Sequence, residues 1–331
     1  MEEQGLTMRV CPHCGRQMAV PAQLGDFSCL YCGKRVHGAG RENVPSDGDD
    51  ERLREESGRT FGGTAANREA RDEAMAYFRT HILLCVEDYK ELAKKFTKKD
   101  YPARLEEYCA AHEKTMECLN TCAVADPLRR DAVVAQAAEE FIIQLADKLE
   151  SDPRWAHRSR REGLLFETKF VLAIYMAPMI DTLQLPVGND FVVRVHEKWM
   201  ERYPKSPYEP ASRQEILSGF TRKKLCFITT AVCRAEGKPD DCAELTAFRG
   251  FRDGYLSACP DGAALIDAYY ALAPSIVCCI DHMGRPEETY GQLRARYLEP
   301  CYQALQRGEL ARCKDIYTEM VKNLQKKYGL S

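Results

Sequence analysis

The sequence lacks three features that mark common functional classes. Its most apolar stretch, Phe170–Ile180, is shorter than the roughly 20 residues that a membrane-spanning helix needs. Its first residues, MEEQGLTMRVCPHCG, contain no apolar core of signal-peptide length. Its net charge of −3 lacks the basic excess typical of nucleic-acid binders. We therefore expect a cytoplasmic protein that neither crosses a membrane nor binds nucleic acid.

The sequence also lacks a recognisable catalytic pairing of a nucleophile with a base. The stretch richest in cysteines, hydroxyls, charges and aromatics is Leu225–Asp281, and it contains no histidine. Hydrophobic residues at 45% and charged residues at 29% are typical of a soluble globular protein. A length of 331 residues predicts two or three structural units. Whether the chain is an enzyme stays open at this point.

Cysteine, by contrast, is abundant, with 16 in the chain. Four of them form a C-x2-C-x14-C-x2-C pattern: Cys11, Cys14, Cys29 and Cys32. Each C-x2-C turn presents two thiolates to one ion, and a glycine follows each pair. The pattern resembles the zinc-ribbon family over residues 9–37. Four protein ligands leave no position for a substrate, so we predict one structural Zn²⁺.

Composition divides the chain into four parts. Residues 1–37 are the predicted zinc ribbon, and residues 38–66, rich in glycine and acidic side chains, are a predicted flexible linker. Residues 67–220 repeat apolar positions every three or four residues and predict a helical domain. Residues 221–331 predict a further helical region that ends in a helical hairpin. The expected fold class is thus mostly α, with a small β ribbon joined by the linker to a multi-helix bundle.

Several polar residues in the helical domain have two interpretations. His81 with Cys85, and the group Cys109, His112, Cys118 and Cys122, have the same-face spacing of metal ligands, although cysteine also serves as a small apolar core residue. The only basic cluster lies within Arg154–Arg161 and is either a solvated helix start or an anion contact. Ser212-x-x-Glu215 and Asp241-x-x-Glu244 both predict capping boxes at helix starts. Gly219 is predicted to stop the first of these helices, and Gly329 to cap the last helix of the chain.

Three ordered blocks in the stretch Leu225–Asp281 carry a resemblance to a family. The blocks read CFITTAVC, PDDCAELTAFRGFRD and GAALIDAYYALAP. They resemble the CFI-box family of bacterial proteins, named for the triplet that stands here as Cys226, Phe227 and Ile228. Many members read CFIATAAYG, and this chain departs from that pattern after the triplet. The resemblance implies a recurring module of about sixty residues and names no reaction.

The candidate site in this module consists of Cys226, Thr229, Thr230 and Arg252. If the first block is helical, Cys226 and the two threonines share a face with Cys233, whereas a strand would separate them. Arg252 falls on the apolar side of its predicted helix, where a guanidinium needs an acceptor.

The acceptor for Arg252 would be Asp267 or an anionic ligand, and Arg249 is spaced to pair with Asp253. A reactive Cys226 would need a base, for which His282 and His196 are the candidates. A metal site built from Cys226, Cys233, Cys242 and Cys259 is an alternative, although the spacings are unlike those of zinc knuckles.

Two functional hypotheses from different classes follow. In the first, the protein is an adaptor whose zinc ribbon docks a protein partner while the helical body supplies a second surface. In the second, it is a thiol-dependent enzyme or a redox or ligand sensor centred on the CFI box. The sequence favours the first, because it shows no catalytic constellation. It does not identify the partner, the substrate or the oligomeric state.

Overall fold

The computed structural model describes residues 6–10, 17–21, 27–28, 35–36, 65–125, 127–221 and 226–330, with side chains from residue 68 onward. Backbone contacts divide the chain into two compact units, Met1–Ala70 and Arg71–Ser331. Each unit is described by itself.

The first unit contains four short strands in two antiparallel pairs. Strand β1 (Leu6–Val10) pairs with β2 (Gln17–Pro21), and β3 (Phe27–Ser28) pairs with β4 (Arg35–Val36). All four cysteines of the predicted zinc ribbon, and residues 38–64 of the predicted linker, lie outside the described residues. The zinc ribbon and the flexible linker therefore stay predictions.

The rest of the described chain is helical, which confirms the predicted mostly α-helical class. Its α-helices are α1 (Ala65–His81), α2 (Tyr89–Lys94), α3 (Tyr101–Val124), α4 (Arg130–Ser151), α5 (Arg158–Val171), α6 (Ala177–Leu183), α7 (Gly188–Arg202), α8 (Arg213–Thr221), α9 (Phe227–Ala235), α10 (Ala243–Gly250), α11 (Gly262–His282), α12 (Pro286–Leu293), α13 (Glu299–Gln306) and α14 (Leu310–Tyr328). Short 3₁₀ turns cover Ile82–Val86 and Pro153–Ala156. π-helical turns cover Leu172–Met176, Phe251–Leu256 and Arg294–Leu298.

The core of this unit is one continuous apolar cluster in which buried polar tips reach backbone carbonyls. The Tyr101 hydroxyl donates to the carbonyl of Ile174 at 2.7 Å, and the Trp199 indole N–H donates to that of Ser206 at 2.8 Å. A buried hydroxyl or indole without a partner would cost free energy, so these bonds make large aromatic side chains compatible with full burial.

Helix α11 has a half-exposed N-terminal half and a buried C-terminal half. From Ala273 onward most of its side chains are buried, and the Ser275 hydroxyl donates to the carbonyl of Phe96 at 2.6 Å. Before that point its apolar side chains are only partly buried. Pro274 lies inside the helix and does not end it, because the chain remains helical to His282.

The helix ends predicted from the sequence are confirmed in part. The Ser212 hydroxyl accepts from the Glu215 N–H at 3.2 Å and the Glu215 carboxylate accepts from the Ser212 N–H at 2.7 Å, which confirms that capping box. Gly329 caps α14 with φ of 63°, as predicted. Gly219 was expected to stop α8, but the helix continues to Thr221.

Within the described part of the chain, two helical stretches are long and apolar enough to cross a membrane by length and composition alone. The run Phe170–Ile180 belongs to the first, Arg158–Leu183, which continues past Pro178 and is mostly buried in the protein. The second is Gly262–His282, of which one third of the apolar window is buried. Core helices of soluble proteins pass the same test, so this is weak evidence of a membrane location, and the cytoplasmic location stays a prediction.

Gly262 at the start of α11 offers a test of this packing. A Cβ at this position would lie 1.7 Å from the carbonyl oxygen of Leu256, so Gly262→Ala requires the backbone to move. We expect it to lower the free energy of unfolding by about 2 kcal/mol or more. Gly250→Ala is the matched control: its Cβ meets nothing within 4 Å, and alanine is favoured over glycine in a helix by up to about 1 kcal/mol. Urea unfolding measures both, and equal effects would contradict the packing.

Candidate functional site

The first CFI block forms a helix. Cys226 stands at the N-cap of α9, and its carbonyl accepts from the Thr230 N–H at 2.7 Å. Every residue from Phe227 to Cys233 is buried. Burial between neighbouring helices thus outweighs the β-branched content that made a strand an alternative. Of the two alternatives that the sequence left open for this segment, the structure has the helix.

The hydroxyl of Thr229 belongs to a buried network of hydroxyl groups. It lies 3.1 Å from the Tyr317 hydroxyl, which donates to the Tyr269 hydroxyl at 3.2 Å. The Tyr269 hydroxyl also accepts from the Ile228 N–H at 3.0 Å, one of the N–H groups that the first turn of α9 leaves without a helical partner. These bonds fix α9 against α11 and α14. The role of Thr229 is therefore to position the helix.

Thr230 differs from Thr229. It is 2% exposed, and its hydroxyl oxygen has no hydrogen-bond partner within the part of the chain that the structure describes. It borders a recess of about 220 Å³ that is also lined by Arg234, Asp281 and His282. A hydroxyl that borders a polar recess of this size can be hydrated. Thr230 thus borders this recess, whereas Thr229 belongs to the network of hydroxyl groups.

Arg252 contacts Cys226, as the sequence hypothesis required. Its Nη1 donates to the Cys226 Sγ at 3.8 Å and to the Tyr270 hydroxyl at 2.9 Å, while its Nε and Nη2 donate to the Asp253 carboxylate at 2.6 and 2.7 Å. The expectation that Asp267 would pair with it was wrong. Arg249, expected to pair with Asp253, donates instead to the carbonyl of Asp240 at 2.7 Å.

The π-helical turn Phe251–Leu256 explains why Arg249 does not pair with Asp253. A π turn contains more residues than an α turn, so the i,i+4 spacing of an α-helix no longer places two side chains on the same face. Asp253 then reaches its neighbour Arg252 rather than Arg249. Nothing in the sequence marks this turn.

The Cys226 thiol is not activated in this setting. Its pKa is raised above the ordinary value because burial disfavours the thiolate, and the nearby Arg252 charge only partly opposes this effect. The two histidines proposed as bases are engaged elsewhere: His282 Nδ1 lies 3.1 Å from the carbonyl of Glu209, and His196 Nε2 lies 2.8 Å from that of Tyr208. Among the described residues, no histidine is hydrogen-bonded to Cys226.

Cys226 and Arg252 instead line a cavity of about 180 Å³ between α10, α11 and α14. Apolar side chains form most of its wall: Phe248, Phe251, Leu256, Leu265, Ile266 and Leu272. Lys314 and Lys322 also line it. The Lys314 amine donates to Asp261 at 2.6 Å, whereas Lys322 has no ion pair within the described residues. The half-exposed apolar residues of α11 thus face a concave site.

The structure does not bring the four cysteines of the alternative metal site together. Cys226 contacts Arg252, and the Cys259 Sγ donates to the carbonyl of Tyr255 at 3.5 Å. Cys233 and Cys242 do lie together, and their third neighbour is Glu244, with all three ligand atoms within 4.8 Å of one another. This is the one group within the described residues that could hold a metal ion.

Glu244 is already committed to two cations. Its carboxylate accepts from Arg294 at 2.6 and 3.1 Å and from Lys238 at 2.9 Å. The hydrogen bonds from Arg294 are the main cause that lowers the pKa of Glu244 to about 2. The predicted capping box with Asp241 was wrong, since Cys242 is the N-cap and no side chain caps this helix. The main contacts of Glu244 are therefore its ion pairs with Arg294 and Lys238.

The other residues that the sequence offered as metal ligands contact aromatic rings or a backbone carbonyl instead. His81 stacks on Tyr77 with ring centroids 3.8 Å apart, His112 packs against Tyr108, and the Cys122 Sγ donates to the carbonyl of Arg71 at 3.3 Å. The four cysteines predicted to bind zinc, Cys11, Cys14, Cys29 and Cys32, lie outside the described residues.

Comparison with protein-family models, with curated proteins and with solved structures finds no match to this chain. The resemblance to the CFI-box family therefore stays a prediction.

The protonation state of Cys226 can be tested by thiol labelling at neutral pH. We expect Cys226 to react more slowly than the partly exposed Cys118 and Cys259, because it is 6% exposed and burial raises its pKa. Arg252→Gln should not accelerate labelling at Cys226, since the guanidinium favours the thiolate. Mass spectrometry of a labelling time course identifies each site. Preferential labelling of Cys226 in the native protein would instead support the thiol-enzyme hypothesis.

Proposed function

We propose that this chain is a ligand-responsive adaptor. The helical unit binds a small apolar molecule in the cavity beside Cys226, and the N-terminal zinc ribbon docks a protein partner. The observation that supports the ligand most is the cavity of about 180 Å³, whose wall is mostly apolar with a few cationic side chains: Arg252, Lys314 and Lys322. Concave apolar sites with a few placed polar groups are typical of small-molecule binding.

The size and polarity of the cavity define the ligand class. An apolar cavity of about 150 Å³ is known to hold a benzene-sized molecule, so this one suits a ring or a short acyl chain. Lys322, which has no ion pair within the described residues, offers N–H donors and no acceptor, and this favours a ligand with a carboxylate at one end. The proposed ligand is thus a small apolar carboxylic acid.

A thiol-dependent enzyme has less support. A nucleophilic cysteine needs a base or a lowered pKa. Burial raises the pKa of Cys226, and the two histidines proposed as its base contact distant backbone carbonyls. In this proposal Cys226 and Arg252 are binding residues, and the buried hydroxyl network of Thr229 positions the helix that carries Cys226.

Binding of octanoate by the full chain tests the ligand part. Ala268 is exposed and lines the cavity, so Ala268→Trp should fill its mouth without disturbing the core. We expect this variant to weaken octanoate binding by roughly tenfold or more, which corresponds to about 1.4 kcal/mol. Titration calorimetry gives both affinities.

The matched control is Ala271→Trp, since Ala271 is exposed on the same helix and does not line the cavity. It should bind octanoate within about twofold of the original chain. Octanol should bind more weakly than octanoate if Lys322 pairs with the carboxylate. Equal loss in both tryptophan variants, or no octanoate binding by the original chain, would refute the proposed site.

The proposed zinc ribbon predicts about one zinc ion per chain, because four thiolates form a closed tetrahedral site. Replacing Cys11 and Cys14 together by serine should remove this zinc, as measured by elemental analysis. Cys233→Ser is the control, and it should leave the zinc content unchanged. Zinc that survives the double replacement and is lost in Cys233→Ser would place the metal at Cys233, Cys242 and Glu244 instead.

A further inference from the structure

A second concave site, distinct from the cavity beside Cys226, lies near the C-terminal ends of α11 and α14. It is a cleft of about 1,070 Å³, and its wall also includes residues of α5 and of the segment that follows α7. The cleft is about as polar as it is apolar, unlike the cavity of the CFI box. Its size is that of a site for a whole cofactor-sized molecule.

The wall of the cleft contains a buried lysine. Lys169 is 7% exposed, and its ammonium donates to the carbonyl of Pro207 at 3.0 Å. No carboxylate lies within ion-pair distance of it among the described residues. Burial, with a smaller contribution from the charge of Lys327 in the same cleft, lowers the pKa of Lys169 to about 8. A buried ammonium without an anion is costly, and a bound anion would remove that cost.

Cationic side chains outnumber acidic ones in the wall of the cleft around Lys169. Six cationic side chains line the cleft: Arg158, Arg161, Lys169, Arg202, Lys205 and Lys327. The two acids of the lining are already paired, Glu150 with Arg202 at 2.6 Å and Glu162 with Arg158 at 3.2 Å. Four cations of the lining thus have no ion pair within the described residues, in a chain whose net charge is −3.

Aromatic side chains line the same cleft. Trp155 and Tyr203 lie edge to face with ring centroids 6.0 Å apart, and the guanidinium of Arg161 lies 5.5 Å from the centre of the Trp155 ring. Aromatic and guanidinium planes are the surfaces on which flat heterocycles stack. The cleft therefore combines a stacking wall with an unbalanced group of cations.

We propose that this cleft binds a phosphorylated compound with an aromatic ring, of the size and charge of a nucleoside diphosphate. Lys169, Lys327 and Arg161 would pair with the phosphate oxygens, and Trp155 with Tyr203 would contact the ring. The inference is independent of the proposed ligand of the CFI box, because it depends on a separate set of residues.

The test is calorimetric titration of the full chain with ADP. Lys169→Met removes the charge and keeps the apolar stem, so we expect ADP binding to weaken roughly tenfold or more. The same variant should unfold at the same temperature as the original chain, or at a higher one, in the absence of ADP. A lysine that served only to hold Pro207 would instead cost stability when replaced.

Lys326→Met is the matched control, since Lys326 is exposed beside Lys327 and does not line the cleft. It should bind ADP within about twofold of the original chain. Lys327→Met removes another cation of the cleft and should also weaken ADP binding. This variant replaces Lys169→Met in the test if Lys169→Met fails to fold. Three outcomes would overturn the inference: no ADP binding at millimolar concentration, an equal effect of Lys326→Met, or tighter binding of a single-stranded oligonucleotide than of ADP.

Discussion

The hydrogen bond from the Ser275 hydroxyl to the carbonyl of Phe96 joins residues 179 positions apart in the sequence. It fixes the buried half of α11 against the segment between α2 and α3, and the core around it is one continuous cluster. A buried hydroxyl must find an acceptor, so this contact sets the position of α11 along its own axis. Both concave sites use α11 as a wall, and their geometry depends on that position.

The two sites share helices but differ in chemistry. The first half of α11 and the middle of α14 give apolar side chains to the cavity beside Cys226. The last residues of the same two helices meet Lys169 and the arginines of the cleft. The two proposed ligands would therefore contact different parts of the same two helices.

Local patterns predicted the helices well. The recurrence of apolar residues every three or four positions, the capping box of Ser212 with Glu215 and the glycine at Gly329 all correspond to observed elements. For the segment from Cys226 to Cys233 the sequence left helix and strand as alternatives, because its β-branched residues also suit a strand. The reasoning about an arginine on an apolar face gave Asp267 or an anionic ligand as the acceptor of Arg252, whereas the structure gives it Asp253, Tyr270 and the Cys226 thiol.

What the sequence could not predict depends on distant contacts and on irregular turns. The π turn at Phe251–Leu256 redirected Arg252 to Asp253, and no residue type signals such a turn. Glu244 looked like a capping residue because its partners Lys238 and Arg294 are apparent only in three dimensions. The buried charge of Lys169 was hidden in the same way, because the residue stands in an ordinary amphipathic pattern.

Pro274 in the middle of α11 has a further consequence. Proline has no N–H, so the carbonyl of Tyr270 lacks the hydrogen bond that a continuous α-helix would supply. The ladder of hydrogen bonds is therefore weakest where the half-exposed part of the helix meets the buried part. The two halves need not open together: the buried half belongs to the cooperative core, while the half beside the cavity belongs to a less stable local unit. Helix α11 thus divides into a fixed support and a segment whose order a ligand can increase.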